Sequence, residues 1–294
     1  MRADDPVTSA RREPSPAPAA QPLRGAAARI AQNMTASLAL PTATSFRDVP
    51  VAVLEARRAQ LNAQLGERAA AGDAGGGPTR LSLTHLVAYA VAQAAASRPA
   101  MLAHYAEPDG VPSRVEPGAV HLGLAVDVEG RDGARNLLVP VVRGADELDF
   151  AAFVAAYEDL VGRARTLRLG PDELQGATIS LTNPGTVGTT ASVPRLMPGQ
   201  GTIVASGAIR RGPGPAVMTL SSTYDHRVIQ GAESGRFLKA VDELLAGGDG
   251  FYEYVADCLD LELQPLPSEA IPAGPRPGSV AGAAAAGTLT AVPA

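Results

Sequence analysis

The sequence predicts one mixed α/β domain, with helices packed on a β-sheet that contains both parallel and antiparallel neighbours. Stretches with helical and strand-like periodicity alternate irregularly along the chain, whereas a regular βαβ array would alternate strictly. Two strand-like runs, at 120–128 and 136–142, are separated by a short glycine-containing segment, which is typical of a hairpin. The composition, 46% hydrophobic and 19% charged over 294 residues, is that of a globular protein.

The two ends of the chain differ in composition from the region between them. Residues 1–22 and 261–294 are rich in proline and alanine and lack apolar periodicity, so we expect a disordered leader and a disordered tail. Residues 23–260 are long enough for one α/β domain. A glycine-rich run at 71–78 is expected to be a surface loop inside this domain.

Five stretches of this domain are predicted to be helices and five to be strands. The third helix is apolar on almost all sides, which indicates burial, and Ser82 or Thr84 can cap its start. Asp149 is a candidate cap for the fourth helix. The predicted helices span 23–38, 51–65, 84–96, 148–167 and 233–245. The predicted strands span 120–128, 136–142, 177–183, 201–209 and 216–224.

Charge and cysteine content argue against several classes of protein. The net charge of -5 argues against a nucleic-acid partner, because nucleic-acid binding requires a strongly basic face. Cys258 is the only cysteine, so no internal disulfide or paired-thiol redox site can form. The first residues lack the apolar core of a signal peptide, and no run of 18 apolar residues occurs. We therefore expect a cytoplasmic protein without a membrane partner.

A polar turn around His226 is the most informative stretch of the chain. It follows an apolar run at 216–220 and precedes an amphipathic run at 237–245, which predicts a strand, a turn and a helix. A histidine has an unperturbed pKa of about 6.5, so it can take and return a proton near neutral pH. The alternative is a histidine that caps or packs the turn, and a lone histidine would favour that alternative.

Four segments in a fixed order favour a general base over a histidine that only caps or packs the turn. They are 123–142, 177–190, 192–209 and 222–237, and they resemble the catalytic domain of the dihydrolipoyl acyltransferases of 2-oxoacid dehydrogenase complexes. The hallmark of that family is Asp-His-Arg-x-x-Asp-Gly, which reads DHRVIQG here. The resemblance covers about residues 23–257 and implies a chloramphenicol-acetyltransferase-like fold, in which a mixed sheet is flanked by helices and the chain forms a trimer.

A narrower likeness concerns the acyltransferase domain that is fused to the dehydrogenase component in actinobacterial 2-oxoglutarate dehydrogenase. The phrases TISLTNPGTVGT, SVPRLMPGQG and STYDHRVIQGAESG carry this likeness. It favours succinyl as the acyl group and implies a 2-oxoacid dehydrogenase component as a partner. Lys239 is the only lysine and is predicted to lie on a helix rather than at a hairpin tip. The lipoyl group is therefore expected in trans, on another protein.

The resemblance also implies the chemistry. Moving an acyl group from dihydrolipoamide to coenzyme A requires a base, because a thiol has a pKa near 8.5. His226 is that base by resemblance, and Thr182 supplies the hydroxyl that stabilises the oxyanion. Taken alone, Thr182 reads as an ordinary β-branched strand residue. In the family the histidine and the hydroxyl meet across a subunit interface, so a homotrimer is implied.

Gln230 departs from the family pattern, which has aspartate at this position. Glutamine can donate and accept hydrogen bonds, but it cannot hold a charge. If the aspartate only organises the turn, Gln230 is a tolerated substitute, and the fused actinobacterial type favours this interpretation. If it contributes to catalysis, the chain is a slow enzyme or a trimeric scaffold derived from one. A stand-alone acyltransferase that uses a small acceptor is a third possibility.

The remaining polar residues carry weaker expectations. His85 is expected to be a buried core residue, and His104 and His121 to have surface or packing roles. No spacing of histidines and carboxylates fits a metal site, so we expect no metal. Residues 130–136 are expected to form a hairpin turn and not a phosphate-binding loop, because no helix follows them. The pair Arg210-Arg211 can meet the phosphates of coenzyme A, but a solvated turn is the preferred interpretation.

Overall fold

The computed structural model describes residues 20, 22–72, 77–129 and 135–266. The five predicted helices are confirmed, and the described part contains a sixth. The helices are α1 (Gly25–Ser37), α2 (Ala52–Ala70), α3 (Leu83–Ala96), α4 (Phe150–Arg165), α5 (Gly231–Leu245) and α6 (Phe251–Cys258). The sequence analysis did not predict α6, which is only eight residues long and follows glycines at 247, 248 and 250. None of the described helices combines the length and low polarity needed to cross a bilayer.

Ten strands form one large sheet and two small ribbons within the described residues. The strands are β1 (Thr42–Pro50), β2 (His104–Ala106), β3 (Ser113–Val115), β4 (Leu122–Leu124), β5 (Val126–Glu129), β6 (Arg135–Leu138), β7 (Val141–Val142), β8 (Ile179–Thr182), β9 (Thr202–Arg210) and β10 (Val217–Asp225). The large sheet has the order β1-β10-β9-β8-β4-β7, while β2 pairs with β3 and β5 pairs with β6. Strand β8 runs parallel to β4 and β9, and the other pairs are antiparallel. The predicted mixed sheet is therefore confirmed.

The predicted hairpin at 120–128 and 136–142 is confirmed, with one difference. The first predicted strand divides at Ala125, so that β4 joins the large sheet while β5 forms a separate ribbon with β6. Leu122 pairs with Val142 across β4 and β7, and Val126 pairs with Leu138 across β5 and β6. Residues 130–134 of the predicted turn lie outside the described part, as do residues 73–76 of the predicted glycine loop.

The helices cover the large sheet and enclose the core. Helix α5 packs on β1 and β10, α3 packs on α5, and α4 packs on β7. Helix α3 is buried along almost its whole length, as predicted. Ser82 caps its start by accepting a hydrogen bond from the amide of His85 at 3.2 Å. Asp149 caps α4 in the same way, accepting from the amide of Ala152 at 2.7 Å, so both expected caps are confirmed.

The two ends of the chain lie mostly outside the described residues. The disordered leader at 1–22 therefore stays a prediction, as does the tail beyond residue 266. The first residues of the predicted tail differ from that expectation, because Leu261 is only 8% exposed and belongs to the core. The amide of Glu262 also donates to the side chain of Gln64 in α2 at 3.0 Å. The packed chain thus continues past residue 260.

Candidate active site

The histidine turn comprises residues 225–230 and connects β10 to α5, as the sequence predicted. Strand β10 lies between β1 and β9, so its end is held from both sides. The amide of His226 donates to the carbonyl of Pro41 at 2.9 Å, just before β1 begins. The amides of Val228 and Ile229 donate to the carbonyl of Asp225 at 3.2 and 3.0 Å. These backbone bonds fix the position of the turn at the end of the sheet.

The imidazole of His226 has the tautomer that a general base needs. Its Nδ1 lies 3.1 Å from the carbonyl oxygen of Ile229. Because a carbonyl oxygen only accepts hydrogen bonds, Nδ1 must carry the hydrogen, and the lone pair is on Nε2. The residue is exposed, and the ring of Tyr224 stands edge-on to it at a centroid distance of 5.6 Å. Nε2 can therefore receive a proton from a molecule that approaches from outside.

The carboxylate of Asp225 is committed to Arg227 and does not orient the imidazole. Asp225 is 2% exposed, and its carboxylate accepts from the backbone amide, Nε and Nη2 of Arg227 at 3.0, 3.0 and 2.7 Å. These hydrogen bonds raise the pKa of the Arg227 guanidinium. The same guanidinium lies 3.9 Å above the ring of Tyr105 in β2. The carboxylate of Asp225 thus binds both the side chain of Arg227 and the backbone of the turn.

Gln230 immediately precedes α5 and is exposed. Its backbone amide donates to the carboxylate of Glu233 at 2.6 Å, which satisfies a donor at the start of the helix. Glu233 was not among the predicted site residues, although a glutamate three residues after a helix start is a recognisable capping signal. In this structure the backbone of Gln230 therefore has a role in organising the turn.

Thr182 is the last residue of β8 and is half-buried. No hydrogen bond joins its hydroxyl to another group in the described part of the chain. The next residue, Asn183, donates from its side-chain amide to the hydroxyl of Thr84 at 2.7 Å. Since Thr84 lies in the first turn of α3, this bond ties the end of β8 to the start of that helix. The Thr182 hydroxyl is left available as a donor.

The sheet register separates Thr182 from His226 within one chain. Thr182 pairs with Ala205 in β9, and Ala205 pairs with Ser221 in β10. His226 follows Ser221 by five residues (221 to 226), so the two Cα atoms are about 16 Å apart along the strands and about 10 Å apart across them. The total separation of about 19 Å is too large for both side chains to contact one reacting carbonyl.

A pocket of about 640 Å³ opens beside the start of α3. It is lined by Arg58 from α2, by Arg80 and Ser82 before α3, and by His85 and Glu158. The Nε of Arg58 is buried without a hydrogen-bond partner, and no ion pair engages Arg58 in the described residues. Because helix N-termini and arginines both attract anions, this pocket is suited to phosphate groups. The sequence did not indicate this pocket. Helical periodicity shows which residues are apolar, but not which groups from other segments lie beside a polar residue.

Arg210 and Arg211 are engaged elsewhere. Arg210 lies 2.7 Å from the carboxylate of Asp48, and Arg211 lies 2.5 Å from that of Glu55. Both ion pairs are at the surface, which agrees with the solvated turn preferred from the sequence. Arg58 is therefore a better candidate for an anion contact than either of them.

Comparison with known proteins shows the family to which this chain belongs. Residues 15–249 match the family model of the 2-oxoacid dehydrogenases acyltransferase (catalytic domain). The chain belongs to this family. Multifunctional 2-oxoglutarate metabolism enzymes from Mycobacterium sp. (strain JLS) and from Mycolicibacterium vanbaalenii are 46% and 45% identical over 80% and 84% of the chain. The chain spans 20% of the length of these curated relatives. The predicted family and its narrower 2-oxoglutarate likeness are confirmed.

Solved structures of acyltransferase cores share the fold. The cubic core of a pyruvate dehydrogenase multienzyme complex has a TM-score of 0.68 and 26% identity, covering 88% of this chain and 100% of that chain. A dihydrolipoamide acetyltransferase from Azotobacter vinelandii has a TM-score of 0.67 and 28% identity, covering 82% and 93%. In that enzyme the roles of a serine, a histidine and an asparagine in the catalytic mechanism were investigated. The predicted chloramphenicol-acetyltransferase-like fold class is thus confirmed by the acyltransferase cores.

The other histidines of this acyltransferase domain have structural contacts. His85 is 2% exposed, its Nδ1 accepts from the amide of Ser82 at 3.4 Å, and its Nε2 lies 2.9 Å from Glu158. Burial holds the pKa of His85 below its usual value, so the ring is neutral near pH 7. His121 accepts from the amide of Gly144 at 3.0 Å. His85 and His121 therefore have the packing roles expected, and the described residues contain no cluster that could hold a metal ion.

Proposed function

We propose that this acyltransferase domain moves an acyl group from dihydrolipoamide on a partner protein to coenzyme A, and that the acyl group is succinyl. The observation that carries the proposal is the imidazole of His226, exposed at the end of β10 with Nδ1 bonded to the Ile229 carbonyl. Succinyl is favoured because the curated relatives are named for 2-oxoglutarate metabolism. The chemistry requires no metal.

The reaction is an exchange of one thioester for another. Nε2 of His226 takes the proton from the thiol of coenzyme A, and the sulfur attacks the acyl carbonyl carbon of the acyl-dihydrolipoamide. The carbonyl oxygen becomes an oxyanion, and we assign its hydrogen-bond donor to the hydroxyl of Thr182. When the intermediate collapses, the bond to the lipoyl sulfur breaks. That sulfur receives the proton from the imidazolium, which restores the base.

We propose that the complete site lies between two subunits of a homotrimer. This follows from the separation of about 19 Å between Thr182 and His226 within one chain. A base on one subunit and a hydroxyl on its neighbour can instead face each other across an interface. Proteins of this family form multienzyme cores, as the solved pyruvate dehydrogenase core illustrates. The intact assembly is expected to include a lipoyl-bearing protein and a 2-oxoacid dehydrogenase component.

The lipoyl group is proposed to arrive on a partner because this chain has no suitable lysine. Lys239, the only lysine, lies in α5 and forms an ion pair with Glu243 at 2.5 Å one helical turn away. A lysine on the face of a helix cannot serve as a mobile arm that visits several sites.

We interpret Gln230 as a tolerated substitute for aspartate. Its backbone amide is held by Glu233, so the helix start is organised without a charged side chain at position 230. The Azotobacter vinelandii enzyme has its investigated asparagine four positions after its histidine, the same spacing as His226 and Gln230. Both side chains are neutral amides. We therefore propose that a carboxylate at this position is not required for activity.

The direct test is an assay of acyl transfer by the purified chain. With succinyl-dihydrolipoamide and coenzyme A as substrates, we expect succinyl-CoA to accumulate, which chromatography measures. Acetyl-dihydrolipoamide is the matched control, and a clearly lower kcat/KM for it would support the succinyl assignment. If no acyl donor gives turnover, the enzymatic proposal is wrong and the scaffold interpretation takes its place.

The pocket beside α3 is proposed to hold the phosphates of coenzyme A. Arg58 supplies a guanidinium whose Nε has no hydrogen-bond partner among the described residues, and the start of α3 supplies backbone amides. The bond from Asn183 to Thr84 links this pocket to the end of β8, where Thr182 lies. A molecule bound by its phosphates in the pocket can therefore extend its thiol toward Thr182 on the same subunit.

Replacing Arg58 by alanine should raise the KM for coenzyme A by about tenfold or more, because a charged hydrogen bond contributes about 1.5–3 kcal/mol. The same variant should use pantetheine, which lacks the nucleotide phosphates, as well as the unaltered protein does. Arg68→Ala removes a positive charge from the same helix outside the pocket and should leave both KM values unchanged. An equal loss with coenzyme A and with pantetheine would place the phosphates elsewhere.

A further inference from the structure

A short hairpin formed by β2 and β3 lies against the histidine turn. Nη1 of Arg114 in β3 donates to the carbonyl oxygen of Val228 at 2.6 Å. The ring of Tyr105 in β2 lies under the guanidinium of Arg227 at 3.9 Å. Both contacts join the hairpin to residues of the turn that are more than 100 positions away in the chain. The hairpin therefore contacts the turn through both of its strands.

Arg114 also reaches the group that organises the start of α5. Its Nη1 lies 4.0 Å from Oε1 of Glu233, and Oε2 of Glu233 accepts the amide of Gln230 at 2.6 Å. The carbonyl of Val228 and the amide of Gln230 are the two backbone groups on either side of Ile229. Through these contacts Arg114 is connected to the chain both before and after Ile229.

Ile229 is the residue whose carbonyl holds Nδ1 of His226. Its side chain is 0% exposed, and that of Val228 is 8% exposed, so core packing fixes their side chains. Packing alone does not set the direction of the Ile229 carbonyl, because a peptide plane can rotate while the side chains stay in place. The hydrogen bond from Arg114 to Val228 and the bond from Gln230 to Glu233 restrict that rotation.

We propose that Arg114 is a positioning residue for His226, acting through the Ile229 carbonyl to keep the hydrogen on Nδ1 and the lone pair on Nε2. The effect of Arg114 on turnover rests on the proposed function, whereas its effect on the tautomer of His226 does not. Arg114 touches none of the reacting groups. Glu116 is exposed and accepts from Nε of Arg114 at 2.8 Å, and no hydrogen bond or ion pair joins Glu116 to the turn among the described residues.

Three variants test this role in the acyl-transfer assay. In Arg114→Ala we expect kcat to fall by about tenfold while the KM for coenzyme A changes less than about twofold, because a misplaced base affects the chemical step and not the binding of substrate. Arg114→Lys retains a donor and should recover most of the kcat. Glu116→Gln removes the exposed partner of Arg114 and should leave kcat unchanged.

The imidazole itself provides a readout that needs no activity. In the parent protein labelled with ¹⁵N-histidine, NMR shifts should show a protonated Nδ1 for His226. They should show the opposite tautomer for His85, whose Nδ1 accepts from Ser82. In Arg114→Ala the two nitrogens of His226 should move toward a mixture of tautomers, while the signals of His85 stay in place. Should Arg114→Ala fail to fold, Arg114→Gln removes the charge with less loss of volume.

The outcomes separate the two proposals. A tautomer shift in a protein that has no acyl-transfer activity would support the role of Arg114 and contradict the proposed function. An unchanged His226 tautomer in folded Arg114→Ala, or in Arg114→Gln if the alanine variant does not fold, would overturn the role of Arg114, whatever happens to kcat.

Discussion

Replacing His226 by alanine is expected to lower kcat for acyl transfer by about 10²–10⁴-fold, the usual contribution of a general base. The thiol of coenzyme A has an ordinary pKa near 8.5, so only a few per cent is thiolate at pH 7 without a base. The residual rate of the variant should therefore rise about tenfold for each pH unit up to about pH 8.5. Initial rates of succinyl-CoA formation between pH 6 and pH 9 measure both effects.

The fold of the His226→Ala protein should be preserved, because the ring is exposed and makes one hydrogen bond, to Ile229. Urea unfolding should therefore give a free energy of unfolding within about 1 kcal/mol of the parent protein. A folded variant with more than a tenth of the parental kcat would mean that another group removes the thiol proton. His104→Ala, in the neighbouring hairpin, is a histidine control that should keep the parental pH dependence.

Two inactive variants are expected to restore activity when their subunits are mixed. Thr182→Val keeps the shape of the side chain and removes the oxyanion donor, which should cost about 10²–10³-fold in kcat. His226→Ala removes the base. If each site takes Thr182 from one subunit and His226 from the next, a mixed trimer contains interfaces with both residues intact.

The expected recovery has a definite size. With equal amounts and random assembly, an interface is intact only when the subunit that supplies Thr182 carries the His226 change and the subunit that supplies His226 carries the Thr182 change, which gives about one quarter of the parental activity. The proteins are dissociated in denaturant, mixed and refolded together, and each variant refolded alone is the control. Thr182→Ser, which retains a hydroxyl, should be active without mixing. No recovery in refolded mixed trimers would contradict a site shared between subunits.

The helices and the central strands were predictable because each has a local signal. Leu54, Leu61 and Leu65 repeat on one face of α2 and are buried, as helical spacing requires. Asp149 stands where a cap is needed, and it caps α4. By contrast, β1 was missed because its polar residues alternate weakly and its partner, β10, lies about 175 positions later in the chain. Strands β2 and β3 have three residues each, too few for a periodic pattern.

The residues of the candidate site also divide into those that the sequence could indicate and those that it could not. His226 could be placed at a turn because a strand-like run and a helical run flank it. Arg58 could not be recognised, since its pocket exists only where α2 meets the start of α3. Arg114 gave no signal either, because its contact with Val228 joins two segments that are unrelated in sequence. Glu233 was recognisable in principle as a capping residue, three positions after Gln230.

The sequence by itself determined the α/β class, the family and the position of the histidine turn, because these depend on local periodicity and on motifs read in order. Only the tertiary structure decided which nitrogen of His226 is free, which partners Asp225 takes, and how far Thr182 lies from His226. Those properties depend on single hydrogen bonds and on strand register between distant segments. Local sequence carries no information about which distant groups will meet.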